Sequence, residues 1–185
     1  MATPYEFESR PRYHILRAPI KVPVGALARI LPPTAAASVS EPDFSSPDDV
    51  ERAFYQAFAA TDLALMTTLW LNNDEVACVH PGGDLLTGRN AVIGSWRSIL
   101  VGAEQPTVLY RVLHRQHLGD LALHLVEERI GPAGADPRRG LNRLLATNVY
   151  RRTANGWRMT LHHGSLPLTE RADDAAAAGN TNRLH

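Results

Sequence analysis

The stretch LATNVYRRTANGWRMTLHHGSLP, residues 145–167, carries the clearest structural signal in the sequence. Within it, two runs that alternate in hydrophobicity flank Asn155-Gly156, and Asn-Gly is the strongest short signal for a tight β-hairpin turn. The second half of the domain holds a further pair of strand-like runs, joined at Leu118-Gly119-Asp120. The four predicted strands cover residues 107–117, 121–130, 141–152 and 157–165. Consecutive hairpins of this kind predict an antiparallel sheet.

The residues that precede these strands have the period of helices instead. Ser46 and Pro47 place a capping hydroxyl and a proline at the start of a first helix. Helical periodicity returns after Thr61 and again after Thr87, and a short buried strand is predicted between them over 75–80. Helices first and hairpins last predict an α+β fold in which three helices pack on a curved antiparallel sheet and close one end of a cone. Such a cone leaves a small-molecule pocket between its two layers.

Composition limits the classes of partner. The 185 residues contain 19 Lys and Arg against 19 Asp and Glu, so nothing favours nucleic acid or an anionic membrane as a partner. A single cysteine excludes an intramolecular disulfide. Without a membrane-spanning run or a secretion-signal pattern, we expect a soluble, cytoplasmic protein. Arginine supplies every basic residue except Lys21, which is typical of a high-GC genome, and we expect a bacterial source.

Proline density divides the chain into three segments. Residues 1–46 hold seven of the thirteen prolines and are predicted to form an arm, either laid on the domain or a partner or else disordered. Residues 47–167 form the predicted domain. Residues 168–185 lack aromatic residues and clear periodicity, so we expect a disordered tail.

Three segments of this domain carry motifs that occur together in one family. They are AFYQAFAATDLALMTTLW at 53–70, VACVHPGGDLLTGRNAVIGSWRSIL at 76–100, and the stretch at 145–167. These segments resemble the SnoaL-like branch of the nuclear transport factor 2-like superfamily, over about residues 48–167. The resemblance implies a cone-shaped α+β barrel, usually dimeric, with a pocket between sheet and helices. Relatives include ketosteroid isomerases, polyketide cyclases, dehydratases and non-catalytic binding domains, so activity does not follow from it.

Two histidines are the candidate acid–base residues, because histidine titrates near neutral pH. Simple alternation puts His163 on the face of Trp157 and Met159, towards the helices, and His162 on the opposite face, unless a bulge reverses this. His80 ends the short strand, at the mouth of the predicted pocket. Each has a structural alternative: a core imidazole bonded to a carbonyl for His163, and a cap on the glycine turn for His80.

Four further residues are candidate ligand contacts. Trp70 and Trp96 occupy apolar helical positions, where they form either a pocket wall with an indole N–H to offer or plain core. Asn148 lies on a strand face whose other side chains are mostly apolar, so its amide needs hydrogen-bond partners or a ligand. Tyr150 on the same face is either a phenol that donates to a ligand carbonyl or an aromatic at the edge of the core.

The strand over residues 121–128 is apolar on both faces until its glutamates. That pattern is expected when the outer face of the sheet is covered by a second subunit, so we expect a homodimer through this face. His124 and Glu128 therefore point to either the interface or the pocket, and both are kept as candidate ligand-binding residues.

Several kinds of site are absent from the sequence. Adjacent His162 and His163 face opposite ways on a strand, and no HExxH pattern exists, so we expect no metal site. No serine lies in a G-x-S-x-G elbow and no glycine run has the spacing of a phosphate loop, so we also expect no cofactor.

The sequence supports two functions from different classes. The first is a small-molecule-binding protein with a pocket for a small, mostly apolar ligand and no determined activity. The alternative is a cofactor-independent isomerase, cyclase or dehydratase in which His163 or His80 transfers a proton while Asn148 or Tyr150 steadies an enolate. A His163→Ala substitution would separate them, since it would cost an enzyme far more than a binder.

Overall fold

The computed structural model describes residues 43–167 and the backbone of residues 14–15. Its elements are β1 (His14–Ile15), α1 (Pro47–Ala60), α2 (Leu63–Leu69), β2 (Ala77–Val79), β3 (Leu85–Thr87), α3 (Arg89–Leu100), β4 (Thr107–Leu118), β5 (Leu121–Gly131), β6 (Asn142–Thr153) and β7 (Gly156–Ser165). The predicted order, helices first and long hairpins last, is confirmed. Most of the predicted arm and all of the predicted tail lie outside the described residues.

The described strands form one sheet in the order β1-β4-β5-β6-β7-β2-β3. Every neighbouring pair is antiparallel except β2 and β7, which run parallel with Cys78 opposite His162. The sheet is therefore mixed, whereas the hairpins predicted a purely antiparallel one. The parallel pair has a functional consequence, because it brings the residue after β2, His80, close to the end of β7.

The β6–β7 hairpin contains a bulge that reverses the faces of β7. Val149 pairs with Leu161 and Tyr150 with Met159, so Thr160 is the extra residue between the two pairs. Beyond a bulge, side chains point to the side opposite to that given by simple alternation. The predicted face of His163 is therefore wrong: His163 is exposed on the outer face, and His162 is the buried residue.

Helix α1 begins where the sequence predicts it. The Ser46 hydroxyl accepts a hydrogen bond from the Asp49 backbone N–H, and Pro47 occupies the first turn. Val50, Phe54 and Tyr55 recur on one side of the helix and are fully buried against the sheet. Burying each large side chain of this kind contributes roughly 1.5–3 kcal/mol.

Arg89, the first residue of α3, holds the end of α2. Its guanidinium donates to the carbonyl oxygens of Thr67, Trp70 and Leu71, at 3.0, 3.0 and 2.9 Å. Carbonyls at a helix C-terminus have no intrahelical donors, so an arginine from another helix satisfies several at once. The contact ties α2 and α3 together over the sheet.

The core lies between the inner face of the sheet and the helices, and Trp70, Trp96 and Met159 are buried within it. Polar side chains are buried in the same layer, and those on the inner side are Glu51, His124, Glu128, Asn148 and His162. A buried polar group lowers stability unless it is hydrogen-bonded. These residues are therefore candidates for a functional role. Among the described residues, no helix is long and apolar enough to cross a membrane.

Candidate functional site

A cavity of about 220 Å³ lies between the helices and the inner face of the sheet. Its walls are mostly aliphatic and aromatic. The lining residues are Phe58, His80, Pro81, Trp96, Ile99, Glu128, Ile130, Leu144 and His162. An apolar cavity with a few polar side chains on its wall has the build of a small-molecule site.

Glu128 is the acidic group of this cavity. It lies on the inner face of β5, opposite Tyr110 on β4 and Leu144 on β6, and its side chain is almost fully buried. The Tyr55 hydroxyl donates to Glu128 Oε1 at 2.8 Å. Burial raises the pKa of Glu128 to about 7, against the opposing hydrogen bond from Tyr55 and with help from the charge of Glu51. A carboxyl group that titrates near neutral pH can both give and accept a proton.

A chain of hydrogen bonds connects Glu128 to His162 across the cavity wall. Asn148 Nδ2 donates to the Tyr55 hydroxyl at 3.2 Å, and Asn148 Oδ1 accepts from His162 Nδ1 at 2.8 Å. The imidazole therefore carries its proton on Nδ1 and its lone pair on Nε2. Burial, helped by the nearby charges of His80 and His163, lowers the pKa of His162 to about 3. His162 is thus neutral, and Nε2 offers an acceptor.

His80 reaches the cavity from the turn that follows β2. Its Nε2 lies 3.0 Å from the Ser95 hydroxyl on α3, and that hydroxyl donates to the Val92 carbonyl oxygen. Nε2 therefore donates to Ser95, and the lone pair is on Nδ1. Burial lowers the pKa of His80 as well. The predicted position of His80 at the mouth of a pocket agrees with this geometry, while its catalytic role stays a prediction.

The two candidate tryptophans differ in position. Trp96 lines the cavity, is 2% exposed, and packs edge-on against Phe54, Phe58 and His80. Its Nε1 is buried and has no hydrogen-bond partner in the described part of the chain. Trp70 Nε1 is also buried and unpartnered, but Trp70 ends α2 and is not among the lining residues of this cavity.

A second polar cluster, with Glu51 and His124 buried, lies between α1 and the strands. Glu51 Oε1 is 3.2 Å from His124 Nδ1 and accepts from the Tyr150 hydroxyl at 3.2 Å. Asp48 brings a further carboxylate close to these groups, and the donor atoms of Asp48, Glu51 and His124 lie within 4.8 Å of one another. Asp48 is itself paired with Arg115, and Glu51 already accepts from Tyr150, whereas His124 Nε2 is buried without a hydrogen-bond partner in the described part of the chain.

Comparison with known proteins identifies the family. A family model described as a SnoaL-like domain matches residues 48–169. The chain belongs to the SnoaL-like domain family. The match covers α1 from its second residue and all the elements that follow it.

Solved structures resemble the SnoaL-like domain over most of its length. A proposed calcium/calmodulin-dependent protein kinase type II association domain from Thiobacillus denitrificans is 41% identical with a TM-score of 0.64, over 70% of this chain and 100% of that one. A proposed dehydratase of the NTF2-like family from Streptomyces avermitilis is 33% identical with a TM-score of 0.56, over 65% and 93%. These relatives confirm the resemblance and the cone-shaped α+β fold.

The chain is also similar to a curated plant protein over part of its length. The F-box protein SKIP8 of Arabidopsis thaliana is 28% identical over 121 residues, which are 65% of this chain and 49% of that protein. The chain therefore spans about half the length of this curated relative.

Sequence reasoning missed part of the SnoaL-like site. Glu51 and Tyr55 are buried on α1 and bonded to strand residues, yet neither was a candidate. Their spacing of four residues places them on one helix face, beside Val50 and Phe54, and a glutamate in a buried stripe is the signal that could have found them. His124 and Glu128, left undecided between two faces, both point inward.

The outer face of the SnoaL-like domain carries an apolar surface of its own. A groove of about 280 Å³ is lined by Leu113, Leu125, Val126, Leu145, Ala146, Thr147, His163 and Ser165. Leu113 is 47% exposed and Leu125 is 39% exposed. His163 lies in this groove, on the opposite side of the sheet from the inner cavity.

Proposed function

We propose that the cavity beside Glu128 binds a small, mostly apolar molecule. The observation that carries the proposal is the combination of an apolar lining with Glu128, His80 and His162 on the same wall. An apolar protein cavity of about 150 Å³ is large enough for benzene. A volume of about 220 Å³ therefore suits a single ring with a short substituent.

A ligand screen with a blocking variant tests this proposal. We expect a small cyclic ketone, alcohol or phenol to raise the melting temperature of the chain, because a ligand at a hundred times its Kd stabilises the folded state by about 2.7 kcal/mol. Ile99→Trp should abolish the shift, since Ile99 lines the cavity. Ile93→Trp is the matched control, because Ile93 is also a half-buried residue of α3 but lies outside the cavity lining. A shift that survives Ile99→Trp would contradict the assignment.

Proton transfer on the bound molecule is the second candidate function. The observation that favours it is a buried carboxyl whose pKa burial raises to about 7, bonded to Tyr55. Glu128 would remove a proton from carbon beside a carbonyl group and return it to another atom. The 33% identical Streptomyces structure is a proposed dehydratase, and loss of water beside a carbonyl begins with such a step. Turnover that is lost in Glu128→Gln would distinguish catalysis from binding.

The residues predicted to steady an enolate have other partners. Asn148 bonds Tyr55 and His162, and Tyr150 bonds Glu51, so in this proposal they orient neighbouring side chains. His163 takes no part, because it lies in the outer groove. His80 keeps its candidate role as an acid–base group.

The same domain is proposed to form a homodimer through its outer sheet face. Exposed leucines around the outer groove support this, since a contiguous apolar patch typically marks an interaction site. We expect light scattering after size exclusion to give twice the 20.3 kDa chain mass. Leu125→Glu should give monomers, whereas Leu85→Glu, which replaces an exposed leucine on the distant edge strand β3, should not. A parent chain that runs as a monomer at micromolar concentration would overturn the interface.

A bacterial source and a cytoplasmic location belong to the same proposal. The single cysteine, which can form no intramolecular disulfide, supports a reducing compartment. The 41% and 33% identical structures come from Thiobacillus denitrificans and Streptomyces avermitilis, which supports a bacterial source.

A further inference from the structure

We propose that the inner cavity, the one beside Glu128, selects its ligand through a hydrogen-bond donor, and that small apolar molecules with a primary amine are the class it binds best. This inference rests on the proposed ligand-binding function and names the ligand class. Shape admits ketones, alcohols and phenols as well as amines, so the distinction comes from the polar atoms that are open to the cavity.

Glu128 presents one open carboxylate oxygen on the cavity wall. Its Oε1 accepts from the Tyr55 hydroxyl at 2.8 Å, whereas Oε2 accepts no hydrogen bond from any described residue. Oε2 is also not among the fully buried unpartnered atoms of the described chain, which include Trp96 Nε1, so it keeps exposed area. Since Glu128 lines the cavity and is only 2% exposed overall, Oε2 is an acceptor that a ligand in the cavity can reach.

His162 presents a second open acceptor, its Nε2 atom. The Tyr55 hydroxyl gives its proton to Glu128, so Asn148 donates to Tyr55 through its amide nitrogen. The Asn148 oxygen then accepts from His162 Nδ1, which leaves the lone pair of the imidazole on Nε2. This atom has no partner among the described residues and is likewise not one of their fully buried unpartnered atoms. His162 also lines the cavity, so Nε2 is open to the same ligand.

The side-chain donors of the lining residues are already used or are out of reach. His80 Nε2 donates to Ser95, and His162 Nδ1 donates to Asn148. The Trp96 N–H is fully buried, so a ligand in the cavity does not reach it. The lining contains neither arginine nor lysine. The ligand therefore has to bring the donor, whereas a ketone or an ether brings only an acceptor.

Charge favours an amine over an alcohol among the ligands that bring a donor. Glu128 is the only acidic residue of the lining, and above its pKa of about 7 it has no cation beside it in that lining. An alcohol brings one donor and no charge, whereas a primary ammonium group brings three donors and a positive charge. A hydrogen bond between charged groups is roughly twice as strong as one between neutral groups.

Three probes of similar shape test the inference on the full 185-residue chain. They are cyclohexylmethylamine, cyclohexylmethanol and 1-cyclohexylethanone, titrated by calorimetry at pH 8, where Glu128 is ionised and the amine, like a lysine side chain, is protonated. We expect the amine to bind about tenfold more tightly than the alcohol, because its hydrogen bond is charge-assisted. The alcohol should bind about tenfold more tightly than the ketone, the gain of one hydrogen bond.

Glu128→Gln should reverse the order of amine and ketone. Glutamine keeps an oxygen for the Tyr55 hydroxyl and places an NH₂ group where Oε2 was, so an open donor replaces an open acceptor. Glu127→Gln is the matched control and should keep the order of the parent. It removes the same charge from the adjacent residue, but Glu127 lies opposite Leu145 on the outer face, where it pairs with Arg111 and Arg143.

Ile99→Trp separates binding in the cavity from binding of a cation to the protein surface, since Ile99 lines the cavity. All three probes should lose their binding in this variant. A ketone that binds the parent as tightly as the amine, an order that Glu128→Gln leaves unchanged, or amine binding that survives Ile99→Trp would overturn the inference. Ketone or alcohol binding that Ile99→Trp abolishes would still leave the binding cavity in place. If none of the three probes binds, the proposed binding function falls and the inference falls with it.

Discussion

The His162→Asn variant is expected to lose far less stability in acid than the parent chain. In the folded protein burial lowers the pKa of His162 to about 3, from an ordinary value of 6.5. Between pH 6.5 and about 3, the His162 imidazole is therefore protonated in the unfolded chain but neutral in the folded chain. The contribution of the neutral imidazole to the free energy of unfolding is fully present above pH 6.5 and is lost as the pH falls towards 3. At about 1.4 kcal/mol per pKa unit, the loss is roughly 5 kcal/mol.

Urea unfolding at several pH values between 3.5 and 7.5 measures this dependence. Asparagine keeps a donor for the Asn148 oxygen but cannot be protonated in this range, so the variant starts less stable at pH 7.5 and declines less steeply. His163→Asn is the control, because His163 is adjacent in sequence but exposed on the outer face. Three parallel curves would show that His162 is not a buried neutral base.

Glu128→Gln is expected to stabilise the domain above pH 7 by roughly 3 kcal/mol. Burial raises the pKa of the folded carboxyl from 4.5 to about 7, so between these values the unfolded chain releases a proton that the folded chain keeps. The contribution of Glu128 is therefore complete below pH 4.5 and falls as the pH rises to 7. Glutamine retains an acceptor for the Tyr55 hydroxyl and has no charge to bury.

The comparison is made by urea unfolding at pH 4.5 and pH 8. The adjacent Glu127→Gln serves as control, because Glu127 is buried and forms ion pairs with Arg111 and Arg143, so the loss of its charge should destabilise the fold. If the domain is an enzyme that uses Glu128, the same Glu128→Gln protein should lose about 10²- to 10⁴-fold in rate. If the Glu128→Gln variant were less stable than the parent at pH 8, the prediction that burial raises the pKa of Glu128 would be wrong.

Glu128→Gln is thus expected to raise the stability of the domain and, if the domain is an enzyme, to lower its rate. The expected cost of Glu128 to stability at neutral pH means that an apolar residue of similar size would suit the fold alone better. A feature that costs stability and faces a cavity is what a functional site is expected to contain.

Local signals in the sequence predicted the elements but not how they meet. Ser46, Pro47 and the Asn155-Gly156 turn are short-range patterns with a direct physical basis, and the corresponding helix and hairpin are in place. The parallel pair of β2 and β7 joins residues far apart in the chain, and no local pattern encodes it. The extra residue at Thr160 likewise has no signature in its own sequence.

The same distinction explains which site residues were predicted. His80 was expected at the pocket mouth because it lies at a strand end, and Trp96, on a helix face, was left open between pocket wall and plain core; both line the cavity. The face of His163 was wrong because one bulge reverses the alternation. The direction of Glu128 depended on the register of three strands, which alternating hydrophobicity alone does not fix.

The parallel pairing of β2 with β7 also determines when the sheet can be completed during synthesis of the chain. Chains grow at roughly 5–20 residues per second, so β2 emerges several seconds before the strand that must lie beside it. Until β7 is available, the sheet that covers the apolar side of α1 is incomplete. The incompletely folded chain therefore exposes apolar surface that can aggregate. His162 arrives on that last strand. The wall of the cavity that carries His162 therefore forms only after β7 has been synthesised.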